Sequence, residues 1–225
     1  MTASKQQAKY MALGQLYTNE ITDPRLLQAM VDVPREQFLP ASLQGVAYVD
    51  EELPLADGRF LMEPLTVAKL LSLSEIQETS RVLVVGALTG YVVALAAKLA
   101  HHVVATETNP QMLAQTRENL AKLALSNVDL QQVKSLADGY ALSAPYDAII
   151  ITGAVEVIPE SLGSQLSIHG KLAAVFKVAQ RPASRLGLGR GTLVTRAANG
   201  LQYREMFDAS AALLPEFAKP AGFVF

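Results

Sequence analysis

The sequence predicts an α/β protein with a doubly wound, mostly parallel sheet that ends in an antiparallel hairpin. Three observations support this fold class. Apolar runs rich in β-branched residues, such as residues 149–152, alternate with helical patterns, as expected for a parallel sheet covered on both faces. A tight turn at Gly86 joins one predicted strand to a helix. Near the end of the chain, Asn199 and Gly200 form a strong hairpin-turn signal.

Residues 1–75 are predicted to form a helical extension, and residues 76–225 are predicted to form the core around the sheet. Residues 3–20 have an amphipathic helical pattern. Asp23 and Pro24 are a typical N-cap and first helical residue, so we expect a helix that runs to about residue 33. The other elements predicted for the extension are a helical turn over 34–38, a mostly loop segment over 41–63 and a helix over 64–73.

The core is predicted to alternate strands and helices. The strands are expected over residues 81–86, 102–107, 128–133, 147–152 and 171–178, and the helices over 90–99, 110–124 and near 159–167. Asn109 and Pro110 support the start of the second helix because they suit the N-cap and the first position. Two final strands, over 191–196 and 201–207, flank the Asn-Gly turn and form the hairpin.

Composition excludes several classes of function. A net charge of -2 gives no general attraction to nucleic acid or acidic lipid. The absence of Cys excludes disulfides and thiol catalysis, and three His residues without ligand spacing argue against a metal site. The N-terminus lacks the apolar segment of a signal peptide, and the uncharged stretch over 82–97 falls short of the roughly 20 residues of a membrane span. We therefore expect a cytoplasmic protein without a membrane or nucleic-acid partner.

The apolar end of the chain, residues 221–225, has two interpretations. Apolar side chains at a free end gain stability when another surface removes them from water. In one interpretation this segment packs at the interface of a homo-oligomer, and in the other it docks on its own domain. The sequence leaves both open.

The turn at Gly86 is the strongest functional signal. Its glycine lets a ligand approach bare backbone, and Glu107 at the end of the next strand can accept hydrogen bonds from ribose hydroxyls. The dinucleotide pattern requires glycine at 86, 88 and 91, and only the first is present. The methyltransferase pattern G-x-G-x-G requires 86, 88 and 90, and only the central glycine is missing, where the chain has Leu88. The loop therefore favours S-adenosylmethionine (SAM) over NAD, and the candidate cofactor-binding residues are Gly86, Thr89, Gly90 and Glu107.

Four segments resemble the protein-L-isoaspartate O-methyltransferase family. They are V-P-R-E-Q-F-L-P over 33–40, A-Y-V-D over 47–50, L-P-L over 53–55 and S-A-P-Y-D-A-I-I over 143–150. The resemblance covers nearly the whole chain and implies a Rossmann-like, SAM-dependent methyltransferase fold. It also implies methyl transfer from SAM to the misplaced carboxylate of isoaspartyl residues in aged proteins or peptides. The resulting ester closes to a succinimide, which can reopen to normal aspartate.

The substrate side of the chain departs from this family. The family's T-I-S-Q-P segment here reads F-L-M-E-P over 60–64, so that Met62 stands in place of the serine and no catalytic residue can be assigned. A thioether is a weak acceptor and donates no proton. Glu63 stands where Gln is common, and it would repel a carboxylate substrate unless it points away. The resemblance also places Gly153 on the substrate side.

The cofactor side departs at three further positions. Leu88 replaces a glycine, which costs about 1–2 kcal/mol if the position needs φ > 0, and its side chain would lie where the methionine part of SAM belongs. Val84 replaces an acid. Lys134 stands where the family has an Asp that accepts from the adenine amino group, whereas Lys only donates. Asp138 offers a substitute acceptor if the alignment gap is shifted.

These matches and departures leave two hypotheses. In the first, the chain is a SAM-dependent carboxyl methyltransferase of protein repair with lowered activity, since catalysis is mainly positioning of an already ionised carboxylate. In the second, it has lost SAM and acts as a binding or structural protein. An open adenosine slot faced by Glu107 favours the enzyme, whereas a filled slot favours the binding protein. An NAD-dependent oxidoreductase is disfavoured by the glycine count and by the lack of a Tyr-Lys pair or His base.

Overall fold

The computed structural model describes residues 3–177 and 188–219. Residue 178, the expected end of a strand, and the apolar residues 221–225 lie outside this part. Across the described residues, no helix combines the length and apolar character needed to cross a membrane. In the same ranges, no three His, Asp or Glu side chains are grouped so that they could hold a metal ion.

The N-terminal part is helical, as predicted. Its elements are α1 (Ala3–Met11), α2 (Pro24–Asp32) and α3 (Pro64–Leu73), with a π-helical turn over Ala12–Leu16 and 3₁₀ turns over Tyr17–Asn19, Arg35–Phe38 and Ala41–Val46. Asp23 caps α2 by accepting a hydrogen bond from the Arg25 N–H at 2.8 Å, which confirms the predicted helix start. The segment predicted as mostly loop contains a small antiparallel hairpin formed by β1 (Leu53–Pro54) and β2 (Phe60–Leu61).

The core is a seven-stranded sheet within the described residues. Its strands are β3 (Arg81–Val85), β4 (His102–Glu107), β5 (Val128–Gln132), β6 (Tyr146–Val155), β7 (Leu166–Lys177), β8 (Leu188–Ala197) and β9 (Gly200–Ser210). Their order is β5-β4-β3-β6-β7-β8-β9, parallel as far as β7 and antiparallel from β7 to β9. The helices between them are α4 (Tyr91–Leu99), α5 (Pro110–Lys122) and α6 (Glu160–Gly163). The predicted fold class, with its terminal hairpin, is confirmed.

The helix predicted near 159–167 is shorter than expected. It ends at Gly163, and β7 begins at Leu166. The Tyr146 N–H donates to the Gln165 carbonyl at 2.8 Å, and Tyr146 is in register with Leu166. Because Leu166 is fully buried, the sheet takes up an apolar residue that the sequence pattern assigned to the helix.

Alternate residues of β3 belong to two separate hydrophobic clusters. Val82 and Val84 share a cluster with side chains of α2, α3 and α4, whereas Leu83 and Val85 share a cluster with side chains of β6, β7 and α6. This division follows from the two-residue period of a strand. Since the first cluster contains both N-terminal and sheet residues, the helical extension and the core share one hydrophobic interior.

Candidate functional site

The candidate site lies at the carboxyl ends of β3, β4 and β6, where ligands bind in open α/β sheets. β3 leads into Gly86, β4 ends at Glu107, and β6 carries Thr152 and Gly153 near its end. The Gly86 N–H donates to the Thr106 carbonyl at 3.0 Å. That bond ties the glycine loop to the neighbouring strand and sets its position relative to Glu107.

The glycine loop has a left-handed backbone at three positions. The angle φ is +86° at Gly86, +54° at Leu88 and +102° at Gly90. The positive φ of Leu88 is the strained conformation for which the sequence predicts a cost of about 1–2 kcal/mol. The Leu88 carbonyl accepts from Thr116 Oγ1 at 2.9 Å, and the Leu88 N–H donates to Glu107 Oε2 at 2.9 Å. These two bonds hold the strained residue in the loop.

The carboxylate of Glu107 is fully buried and is engaged by the chain itself. Besides the bond from Leu88, its Oε1 accepts from the N–H groups of Thr108 at 2.9 Å and Asn109 at 3.2 Å. Arg59 Nη1 lies 3.3 Å from the same oxygen and completes an ion pair. Oε1 thus has three of these donors and Oε2 has one, and because the residue is fully buried, neither oxygen is open to a ribose hydroxyl from solvent.

The space over Gly86 is filled by the chain's own side chains. A β-carbon at Gly86 would lie 2.8 Å from Arg59 Nη2, 2.6 Å from Thr152 Oγ1 and 3.7 Å from Leu136 Cδ1. The Arg59 side chain is only 14% exposed and reaches this position from the β1–β2 hairpin. The backbone that a cofactor would approach is therefore covered by a guanidinium group.

Thr89 and Gly90 connect the glycine loop to other parts of the chain. The Thr89 hydroxyl donates to the Phe38 carbonyl at 2.7 Å, and the Thr89 carbonyl accepts from Asn119 Nδ2 at 2.9 Å. A β-carbon at Gly90 would lie 3.0 Å from Thr116 Cγ2. Thr89 therefore bonds to the V-P-R segment and to α5, and Gly90 lies close to α5.

A buried arginine holds the backbone of Met62 in place. The Met62 side chain is 2% exposed, and its carbonyl accepts from Arg35 Nη2 at 2.7 Å. Arg35 Nε donates to the Ala47 carbonyl at 2.7 Å, and the guanidinium lies 4.9 Å from the centroid of the Tyr91 ring. Arg35 is fully buried, so the V-P-R segment fixes two later segments of the extension relative to the core.

Glu63 and Gly153 make contacts within the chain. Glu63 Oε1 accepts from Thr66 Oγ1 at 2.6 Å in the first turn of α3. Burial raises the pKa of Glu63, and the Thr66 hydroxyl opposes that rise. A β-carbon at Gly153 would lie 2.7 Å from Leu214 Cγ, so the absence of a side chain there allows Leu214 to pack against β6.

A small cavity lies between these groups. Its volume is about 10 Å³, and its lining includes Glu52, Arg59, Met62, Thr152 and Gly153. Neither Glu52 carboxylate oxygen has a hydrogen-bond partner in the described part of the chain. Burial raises the pKa of Glu52 to about 7, and the charge of Glu63 adds to this rise. The backbone of Ala212 opposes the rise, although it does not meet the geometry of a hydrogen bond.

The raised pKa of Glu52 predicts a pH-dependent stability. Its ordinary value is 4.5 and its folded value is about 7, so the folded protein binds the proton more tightly than the unfolded chain. The stabilisation is therefore complete below the ordinary value and is lost as the pH rises through the folded value. We expect the melting temperature to fall between about pH 5 and pH 8, and the substitution Glu52→Gln to flatten that fall.

Thermal unfolding across this pH range, followed by circular dichroism, measures the effect. The matched control is Glu51→Gln, which changes the exposed neighbouring carboxylate and should leave the slope as in the wild type. An unchanged slope in Glu52→Gln would show that the folded protein does not hold a proton on Glu52 near neutral pH.

The residues at this site do not fit SAM. The adenosine part needs the backbone of Gly86 and a free Glu107 carboxylate, and Arg59 covers the first and pairs with the second. The cavity beside them, about 10 Å³, holds about one water molecule, whereas small-molecule pockets usually exceed roughly 300 Å³. A larger cleft of about 390 Å³ reaches Thr89, but neither Gly86 nor Glu107 lines it. Lys134 is exposed beyond β5 and supplies no acceptor for adenine. The filled slot favours the second hypothesis from the sequence, in which the chain has lost SAM and acts as a binding or structural protein.

Sequence reasoning missed two residues that shape the site. Asp57 and Gly58, a turn signal within the segment predicted as loop, directly precede Arg59. The contact of Arg59 with Glu107 depends on the hairpin of β1 and β2, whose two-residue strands are too short to show a hydrophobic period. Arg35 belongs to the V-P-R segment, yet its partners, the carbonyls of Ala47 and Met62, come together only in the fold.

Comparisons with known proteins agree with the resemblance. A family model described as protein-L-isoaspartate(D-aspartate) O-methyltransferase matches residues 7–186. A protein-L-isoaspartate O-methyltransferase of Methanoculleus marisnigri is 38% identical over 170 residues, covering 76% of this chain and 77% of the relative. A protein of the same description from Methanoregula boonei is 36% identical over 199 residues, covering 88% and 87%.

Solved structures share the fold. A protein-L-isoaspartate O-methyltransferase aligns with a TM-score of 0.79 and 19% identity, over 95% of this chain and 67% of that chain. A beta-aspartate methyltransferase from Plasmodium falciparum, in complex with S-adenosyl-L-homocysteine, aligns with a TM-score of 0.74 and 18% identity, over 96% and 100%. The family match and the identity to the two curated relatives extend over most of the sequence. The chain therefore belongs to the protein-L-isoaspartate O-methyltransferase family, which is SAM-dependent.

Proposed function

We propose that this chain, although it belongs to a family of methyltransferases, does not itself transfer methyl groups from SAM. It acts instead as a binding or structural protein. The observation that carries this proposal is the ion pair between Arg59 and the buried Glu107. A single guanidinium covers Gly86 and occupies the acid that would hold the ribose. Met62 adds a second departure, because a buried thioether stands at the family's serine position and cannot donate a proton.

The second candidate is the family activity itself, SAM-dependent methylation of isoaspartyl carboxylates in proteins or peptides during repair. The left-handed backbone at Gly86 and Gly90 favours it, since the loop keeps the conformation of a cofactor-binding turn. For this candidate, the β1–β2 hairpin has to withdraw Arg59 before SAM can enter. Glu63 and Gly153 would then lie on the substrate side.

Some expectations from the sequence stay as proposals. We propose a cytoplasmic protein without a nucleic-acid or membrane partner, in which residues 1–75 form the extension and residues 76–225 form the core. Self-association through the apolar residues 221–225 is the proposal for its quaternary structure. Sedimentation of the full chain and of a chain ending at residue 219 tests the last point, since loss of a dimer in the shorter chain would support it.

The primary test is calorimetric titration of SAM and of S-adenosyl-L-homocysteine into the folded protein. We expect no heat of binding with either ligand, because both need Gly86 and Glu107. We also expect no methyl incorporation into an isoaspartyl peptide. The protein of Methanoculleus marisnigri, tested in the same buffers, serves as the comparison for binding and methylation. Micromolar binding accompanied by methylation would refute the proposal and establish the family activity for this chain.

A further inference from the structure

We propose that Arg59 is the specificity-determining residue that excludes adenosine-containing ligands, acting as an internal occupant of the cofactor site. We expect that removing the Arg59 side chain lets adenosine bind at this latent site, which the wild-type chain keeps closed. The inference rests on the proposed function, because it supposes that the wild-type chain does not bind SAM. It adds that one side chain, rather than the whole set of altered positions, keeps the site closed.

The first argument is the position of the Arg59 side chain. Its two terminal nitrogens face the two groups that hold an adenosine cofactor in this fold. Nη1 lies 3.3 Å from Glu107 Oε1, and Nη2 would lie 2.8 Å from a β-carbon at Gly86. Arg59 Nη2 has no hydrogen-bond partner in the described part of the chain. The guanidinium therefore occupies the site through one ion pair, and its second nitrogen blocks space rather than forming a bond.

The second argument is that the hairpin holds Arg59 over the site. The Leu55 N–H donates to the Arg59 carbonyl at 2.8 Å, and the Arg59 N–H donates to the Ala56 carbonyl at 3.0 Å. At the tip, Asn109 Nδ2 donates to the carboxylate of Asp57, and Asn109 is also the N-cap of α5. A tethered guanidinium competes with a free ligand at a high effective concentration. A ribose would have to displace it from a buried carboxylate.

The third argument compares Arg59 with the cofactor-side positions at which the chain departs from the family. The Leu88 backbone already has φ of +54°, and its N–H already contacts Glu107. The atoms nearest to a β-carbon at Gly86 belong to Thr152, Arg59 and Leu136, and Leu88 is not among them. Lys134 is exposed and does not line the small cavity next to Arg59. Unlike Leu88 and Lys134, Arg59 therefore directly covers both cofactor-binding groups.

The experiment is calorimetric titration of S-adenosyl-L-homocysteine and of adenosine into the wild-type chain and into Arg59→Ala. We expect binding by Arg59→Ala at least about tenfold tighter than any binding by the wild type. Leu88→Gly is the matched comparison within the site and should remain without binding, since Arg59 is still in place. Arg204→Ala removes an exposed arginine of β9 and controls for the loss of one positive charge.

Circular dichroism and thermal unfolding show whether each variant is folded. Because Arg59→Ala leaves Glu107 without its charged partner, Arg59→Gln is a second variant that keeps a donor on a shorter side chain. Adenosine binding by either folded variant supports the inference. Folded variants that bind neither ligand would overturn the role of Arg59 and leave the proposed function standing. Binding by the wild type would overturn the proposed function.

Discussion

Replacing Glu107 with glutamine is expected to lower the free energy of unfolding by about 3–5 kcal/mol, the usual cost of breaking a buried ion pair by removing one partner. The carboxylate accepts from three backbone N–H groups, those of Leu88, Thr108 and Asn109, and from Arg59. A glutamine keeps the shape but turns an NH₂ group towards these donors. Buried donors without an acceptor, together with a guanidinium without its counter-charge, account for the loss.

For a chain of this size, this loss corresponds to a fall in melting temperature of about 10 °C. Urea unfolding followed by circular dichroism measures the free energy, and Glu118→Gln on the exposed face of α5 is the control. If Glu107 were a ligand-facing group kept free for a ribose, the substitution would change stability by less than about 1 kcal/mol. That small change would contradict the closed site described above.

Much of the site's location could be predicted from the sequence, because local patterns determine it. The β-branched run before Gly86 identifies a buried strand, and the apolar run that ends at Glu107 identifies the next one. Parallel neighbours bring their carboxyl ends to one edge of the sheet, so the loop and the acid had to lie close together. The positive φ of Leu88 could be anticipated from the G-x-G-x-G pattern as well.

Whether the cofactor site is open or filled could not be predicted in the same way. Whether Glu107 faces a free slot depends on Arg59, which is 48 positions away in the chain and belongs to a hairpin with two residues in each strand. Such short strands carry no hydrophobic period, so the turn signal at residues 57–58 gives neither the two strands nor the direction of their side chains. The departures at Leu88 and Lys134 pointed to a changed cofactor site, but not to the residue that fills it.

Replacing Arg35 with alanine is expected to lower the free energy of unfolding by about 3–5 kcal/mol, since hydrogen bonds from a charged group contribute about 1.5–3 kcal/mol each. Arg35 is fully buried and donates to the carbonyls of Ala47 and Met62, both at 2.7 Å. Burial lowers its pKa, and the nearby Tyr91 side-chain hydroxyl opposes this. Removing the charge recovers some desolvation cost, but it leaves two buried carbonyls unpaired and a void beside Tyr91.

Arg35→Lys separates the charge from the geometry of the side chain. A lysine keeps the positive charge but lacks the planar fork that reaches both carbonyls, so we expect it to recover less than half of the loss. Urea unfolding of both variants, with Arg204→Ala as the control, gives the comparison. A lysine variant as stable as the wild type would show that charge alone is sufficient at this position.

The position of Arg35 also predicts where the variant should loosen first. Ala47 and Met62 bracket the segment that contains the β1–β2 hairpin and Arg59, so the loss of both hydrogen bonds releases this segment at its two ends. Cleavage after the exposed Glu51 by a glutamyl endopeptidase should therefore become faster in Arg35→Ala while the sheet is still folded. Cleavage that only follows global unfolding would contradict a local clamp. If the segment does loosen, Arg59 loses its fixed position over Gly86, and Arg35→Ala becomes a second, indirect route to the latent adenosine site.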